Sequence, residues 1–319
     1  MNKKQTPKPV SAEPENKTVK IELSKSFGQL LAEQSDYYSN SAARGHGGIP
    51  TGQDWFDNSF GGLCPGRMYI ISGEAGVGKS TLLRKFAIDI AKQNRKVSLM
   101  TLEMHPAQLA TLIVCSLESI PVLELDSGKD QAAAERFAAA CEKHTNLPIT
   151  ITGGPMTPSL FQEWATQEVA QGSELICLDY IQMLQAEDGK GDNTEEHRVS
   201  TASTAVLYTA ISLNIPILVI ANESSHGNLR HSGQLLYDCA GHIKLEKMEA
   251  TGGLTVLIQK CRHSPLPQKK LSLAFSKGSL IEYNAPPTEV NPLVSQFKKP
   301  RGRPRKTSVW QVASEEKRR

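Results

Sequence analysis

Eight consecutive residues, Gly73-Glu74-Ala75-Gly76-Val77-Gly78-Lys79-Ser80, constrain this chain more than any other feature. They spell G-x-x-x-x-G-K-S, follow a short apolar run at 68–72 and open a segment, 81–93, with helical character. In that strand, loop, helix context the glycines let successive backbone N–H groups turn inward on phosphate oxygens, and the helix N-terminus adds a positive dipole. The chemistry assigns Lys79 to the β and γ phosphates of a bound nucleotide and the Ser80 hydroxyl to Mg²⁺, with Thr81 completing the contact set.

The rest of the pattern agrees. Short β-branched runs at 68–72, 97–102, 149–152, 175–178 and 215–221 alternate with helical segments at 81–93, 107–116, 131–144, 159–170 and 194–213. Such alternation predicts an α/β fold, a mainly parallel sheet between helices. Four further runs, at 243–245, 254–259, 271–275 and 280–283, are separated in part by Gly252-Gly253 and Lys277-Gly278, which predicts an antiparallel extension at the C-terminal end.

A phosphate-cleaving site of this kind needs two acids at strand ends. Asp179, closing Leu175-Ile176-Cys177-Leu178, suits the magnesium shell, because a buried strand ending in an acid is otherwise costly. A general base is best sought on the strand beside the phosphate loop, and Glu103, after the run 97–102, is the candidate. From spacing alone, Glu103 fits a solvated strand end equally well.

Composition narrows the class. At 39% hydrophobic residues over 319 positions the chain can bury a large core, and its N-terminus lacks the apolar stretch of a signal peptide. No run approaches a membrane span, so a cytoplasmic protein is expected. The six cysteines lie far apart with mostly apolar neighbours and read as reduced, buried thiols. The net charge of +3 hides an asymmetry: residues 298–319 carry nine basic and two acidic residues, +7, leaving −4 on the remainder. Segment 1–20 reads as a flexible arm; 21–35 reads as a short amphipathic helix followed by a polar loop from Ser39 to Gly48, together a linker over 21–47. The α/β nucleotide-binding domain is placed at 48–285 and a disordered basic tail at 286–319.

Taken in order, Gly48-Ile49-Pro50-Thr51-Gly52, Asp57, Gly61-Gly62-Leu63, Pro65-Gly66, the phosphate loop, Leu102-Glu103-Met104, Leu178-Asp179-Tyr180-Ile181-Gln182-Met183-Leu184, Leu229-Arg230-His231-Ser232-Gly233 and Lys260-Cys261-Arg262 resemble the RecA-like motor domain of DnaB-type hexameric replicative helicases. The resemblance spans roughly 48 to 283. It implies an ATP-hydrolysing ring, most often a hexamer, on single-stranded DNA, with a primase or loader as further partner. It also implies roles: Glu103 as catalytic base, Asp179 in the magnesium shell, and Lys260 and Arg262 as cations inserted into the neighbouring subunit's nucleotide site. Without it, Lys260 and Arg262 share one side of a strand and read as a solvated edge. Arg230, His231 and Gly233 fall on a loop that lines the DNA channel in that family. Two positions depart from the family: Asn222 stands where a γ-phosphate-sensing glutamine is usual, and Asp238-Cys239-Ala240 keeps only the first acid of a D-A-D pattern. With only about 47 residues before the motor, the chain resembles stand-alone motors of phages or mobile elements.

In the tail, Arg301-Gly302-Arg303-Pro304, flanked by basic residues, resembles an AT-hook, in which the arginines enter the negative minor groove of A·T tracts. A nonspecific basic tail and a nuclear-import signal share this composition. For the whole chain the leading expectation is an ATP-dependent DNA helicase or translocase; the alternative is a RecA-like DNA-binding ATPase that organises or loads without unwinding.

Overall fold

The central parallel strands of the sheet are short apolar runs that alternate their side chains between two buried faces. A computed structural model describes residues 25–187, 194–223, 229, 233–248, 253–262, 271–276 and 279–282. The chain divides into two units, 1–45 and 46–319.

In the first unit, α1 (Phe27–Arg44) opens at Ser26, whose side chain and that of Gln29 form a reciprocal capping box, and closes at Gly45 in the left-handed region (φ 79°). This corrects the sequence expectation: the segment Ser39 to Arg44, read as loop, is the last part of the helix. The stop signal is Gly45, not the polar serines before it. Phe27, Leu30, Leu31 and Tyr38 on α1 are exposed. The flexible arm expected at 1–20 lies outside the described residues.

The second unit holds α2 (Asp54–Phe60), β1 (Met68–Gly73), α3 (Lys79–Ala91), β2 (Val97–Thr101), α4 (Pro106–Glu118), α5 (Val122–Asp126), α6 (Gln131–His144), β3 (Ile149–Gly153), α7 (Pro158–Ala170), β4 (Leu175–Asp179), a 3-10 turn (Ile181–Met183), α8 (Glu195–Leu213), β5 (Ile217–Asn222), α9 (Gln234–Asp238), β6 (Gly241–Lys247), β7 (Leu254–Cys261), β8 (Leu271–Ser276) and β9 (Ser279–Glu282). The strands form one sheet in the order β3-β2-β4-β5-β1-β6-β7-β8-β9. Pairing is parallel from β3 through β6 and antiparallel from β6 to β9; the antiparallel end is as expected, and β6, the first of its four runs, also pairs in parallel with β1.

Alternation in β1 shows the layering. Tyr69 and Ile71 pack with Leu82, Leu83 and Phe86 of α3 and with Leu109 and Ile113 of α4. Met68 and Ile70 point to the other face, against Phe161 of α7 and Val199, Ala202 and Val206 of α8. Helix α2 escaped the sequence reading because seven residues are too few to display a period, yet Phe56 and Phe60, four apart, bury the same face. Their rings join Trp55, Tyr69 and Phe86, with Phe56 4.6 Å from Phe60 and 5.2 Å from Phe86. Four of the six thiols are buried as expected; Cys141 is exposed and Cys261 partly so, and all six are free. Among the described residues no helix is long and apolar enough to cross a membrane.

Because Phe56 has no solvent exposure and contacts four rings, Phe56→Ala should cost about 3–5 kcal/mol of unfolding free energy. Denaturant titration should show a lower midpoint with an unchanged slope.

Candidate nucleotide site

All parallel strands end along one edge of the sheet, and the register there is specific: Thr101 faces Asp179, and Gly73 faces Asn222. The phosphate loop leaves β1 at Gly73, where a Cβ would sit 2.6 Å from the Leu245 carbonyl oxygen and 2.9 Å from the Val77 side chain. Gly78 caps α3 at φ 111°. Both positions therefore require glycine. Glu74, Ala75 and Gly76 are exposed at the loop's tip, Val77 is buried beneath it, and Ser80 and Thr81 are partly exposed at the start of α3.

Lys79 is buried, and its ammonium donates to the carbonyls of Gly73 (2.9 Å) and Glu74 (2.8 Å). Burial pulls its pKa down, against the opposing fields of Asp179, Glu223 and Glu103. Asp179 is buried too. Desolvation raises its pKa, the Ser80 hydroxyl bonded to it lowers it, and the nearby charge of Glu103 raises it. Its Oδ1 is buried without a hydrogen-bond partner. A buried, unsatisfied carboxylate oxygen beside a hydroxyl is a donor set that fits a hard cation.

One expectation needs correction. The strand before Glu103, β2, does not neighbour β1; β4 and β5 lie between them. The three charges nevertheless converge, because α3 crosses the sheet in contact with β1, β5, β4, β2 and β3 and so carries the start of the helix over those strand ends. Glu103 itself is exposed.

Lys260 and Arg262 do reach a common target, but it is not their own phosphate loop. Both donate to the C-terminal carbonyls of α9: Lys260 to Leu236 and, at 3.3 Å, Tyr237, and Arg262 to Tyr237. Lys260 pairs with His242, which pairs with Ile70, whereas Gly73 pairs with Leu245. The three-residue offset puts Lys260 about 10 Å along the sheet from the level where the loop begins. Arg262, whose backbone N–H donates to Ala240, is farther still.

Of the expected DNA contacts, Gly233 is exposed just before α9, with open space where a side chain would go. Arg230 and His231 lie outside the described residues, as does the tail motif Arg301-Gly302-Arg303-Pro304. Asp238 has a packing role: it accepts from Ser203 of α8 (2.6 Å) and from Gln234 (2.7 Å). Ala240 is buried, in a place where a second acid would be expensive.

Two groups went unread in the sequence. Arg84, buried on α3, sits in the field of Asp179. Glu223, directly after Asn222, is buried and accepts from Ser72 (2.6 Å), which also bonds His242 (2.7 Å), and it pairs with Lys244 at 3.2 Å. Burial, with Lys244 and Lys260 adding to it, pushes His242 down to about 4, so the imidazole is neutral. No spacing rule would have found this cluster, whose members are brought together only by the pairing of β1, β5 and β6; a lone Glu among serines is its single sequence trace.

With the geometry in place, the comparison with known proteins is decisive at the family level. Residues 48–277 match the DnaB-like helicase C terminal domain. The chain belongs to this family. A replicative DNA helicase DnaB from Leifsonia xyli is 24% identical over 250 residues, covering 72% of this chain and 54% of that protein. A probable plasmid replicative DNA helicase from Chlamydia muridarum is 23% identical, over 71% and 53% respectively. The chain thus spans about half the length of these curated relatives. The fold is shared with a solved DnaB-like replicative helicase whose structure was described with its interactions with primase, at TM-score 0.69 and 20% identity over 81% of this chain and 67% of that one.

Asp179 supplies a test that combines mutation and pH. A carboxyl whose pKa is raised by folding favours the folded state below its ordinary pKa, and that advantage is lost as pH rises through the raised value. Asp179→Asn removes the disfavoured charge, so the ligand-free variant should melt above wild type at neutral pH and lose the advantage near pH 3. Equal melting temperatures at neutral pH would mean that the carboxylate is not desolvated.

Proposed function

We propose that the chain is an ATP-driven motor of the DnaB replicative helicase type, hydrolysing ATP between copies of itself, arranged as a hexameric ring on single-stranded DNA. The observation that carries this reading is the separation of the two halves of the chemistry. Lys79, Asp179 and Glu103 converge at one edge of the sheet, while Lys260 and Arg262 sit together well away from it. A cationic pair that cannot serve its own loop suits a neighbour's.

In this mechanism the N–H groups of 73–81 cradle the ATP phosphates. Lys79 exchanges its loop carbonyls for phosphate oxygens, and Asn222, paired with Gly73 at the loop's root, contacts the γ-phosphate. Ser80 and Asp179 would hold Mg²⁺, which would supply charge neutralisation there. Glu103, open to solvent, orients and deprotonates the attacking water. Lys260 and Arg262 of an adjacent copy offset the charge developing on the γ-phosphate. DNA contacts are assigned to Arg230, His231 and Gly233, and a primase or loader is the expected protein partner. The relatives' shared description as replicative DNA helicases favours this motor over a non-unwinding organiser.

The trans arrangement is tested by mixing. Lys79→Ala and Arg262→Ala should each abolish hydrolysis, the second without loss of nucleotide binding, and a mixture of the two should recover activity because some interfaces regain both halves. No recovery, or loss of nucleotide binding by Arg262→Ala, would exclude the trans role.

The +7 segment 298–319 is assigned to duplex DNA through Arg301, Gly302, Arg303 and Pro304, as a tether separate from the motor, whose span 45–297 carries −6. Deleting 298–319 should weaken duplex binding, most visibly at low salt, and leave single-strand-stimulated ATPase intact. Collapse of the ATPase would place the tail inside the motor.

A further inference from the structure

The ladder between β4 and β5 stops early. Its pairs run from Ile176 with Ile217 to Leu178 with Val219, whereas β5 continues to Asn222, paired on its other side with Gly73 of β1. Beyond Val219, therefore, β5 has lost its strand partner on one flank. The backbone groups of alternate residues point to opposite sides of a strand: Glu223 N–H donates to Gly73 O toward β1, so the N–H and C=O of Asn222 face the abandoned flank. Unpaired there, they would cost what any buried orphan backbone group costs.

Gln182 fills the gap. Its side chain, 7% exposed as a residue, donates from Nε2 to Asn222 O (3.1 Å) and accepts at Oε1 from Asn222 N–H (3.2 Å). A primary amide carries the same donor and acceptor as a peptide unit, so Gln182 acts as one detached rung of the missing strand. The rung is itself held from the rear. Arg198 of α8 donates to the carbonyls of Gln182 (2.8 Å) and Leu184 (2.9 Å), fixing the 3-10 turn that presents the amide. Gln182, Arg198 and Asn222 line one cleft of about 330 Å³.

We propose that Gln182 is a positioning residue for ATP hydrolysis: by clamping both backbone groups of Asn222, it sets where the γ-phosphate contact stands relative to the phosphate loop. The inference rests on the role given to Asn222 above. Three residue features support it. The clamp is bidentate, it grips the last residue of β5, and the opposite flank of that residue is the root of the phosphate loop. A misplacement of about 1 Å at such a contact lowers rate by up to about a hundredfold while leaving ground-state binding nearly untouched.

The test is a double-mutant cycle on ATP hydrolysis. Gln182→Glu keeps the shape but sets a carboxylate oxygen against the Asn222 carbonyl; Gln182→Met keeps the volume and removes both bonds. Each should lower kcat at least about tenfold with KM within about twofold. Combined with Asn222→Ala, neither should lower kcat further than Asn222→Ala alone, because Gln182 acts through that residue. A fluorescent ATP analogue, bound by the Gln182 variants as by wild type, confirms an intact loop. If Asn222→Ala is slow but the Gln182 variants keep wild-type kcat, or if the effects add, the positioning role is overturned while the reading of Asn222 stands. If Asn222→Ala turns over normally, the reading of Asn222 fails and the positioning role with it.

Discussion

A buried ammonium must be compensated, and the site is arranged around that requirement. Lys79 is shut off from water, so it borrows two carbonyls from its own loop and the fields of Asp179, Glu223 and Glu103. Three carboxylates gathered near one another would repel without the lysine, and the lysine would be intolerable without them. The geometry of β1 between β5 and β6, the diagonal course of α3 and the closeness of Gly73 to Leu245 all serve to bring these charges to one edge. Such an arrangement suits an anion, because the carbonyls at Lys79 come from the loop itself, one at its root and one at its exposed tip.

The same economy explains why Asp179 is left incomplete. One oxygen takes the Ser80 hydroxyl and the other takes nothing. That oxygen is left free to meet a cation without breaking any bond of the fold.

Much of this was legible beforehand. The strand, loop and helix around Gly73 to Ser80, the parallel sheet, the strand-end position of Asp179 and the antiparallel end follow from period and motif, since each is a local pattern written over five or more residues. What escaped was non-local. That β4 and β5 lie between Glu103 and the loop's strand depends on strand order, which no residue spells out. Ser72, Glu223, His242 and Lys244 meet only through the pairing of three strands, and Gln182 gains its meaning from a ladder that stops at Val219, short of the strand's end. The error at α1 was of another kind: Ser39, Asn40 and Ser41 looked like a turn, but the helix opened by the box at Ser26 runs through them and closes only at Gly45, which adopts φ 79°.

The bonds from Lys260 and Arg262 to α9 have a mechanical meaning. Helix α9 begins next to Gly233 and is bolted to α8 through Asp238 and Ser203, while its far carbonyls hold both cationic side chains. Helix α9 and the two charged tips are thus tied into one piece with α8, so a shift of the helix carries both cations with it.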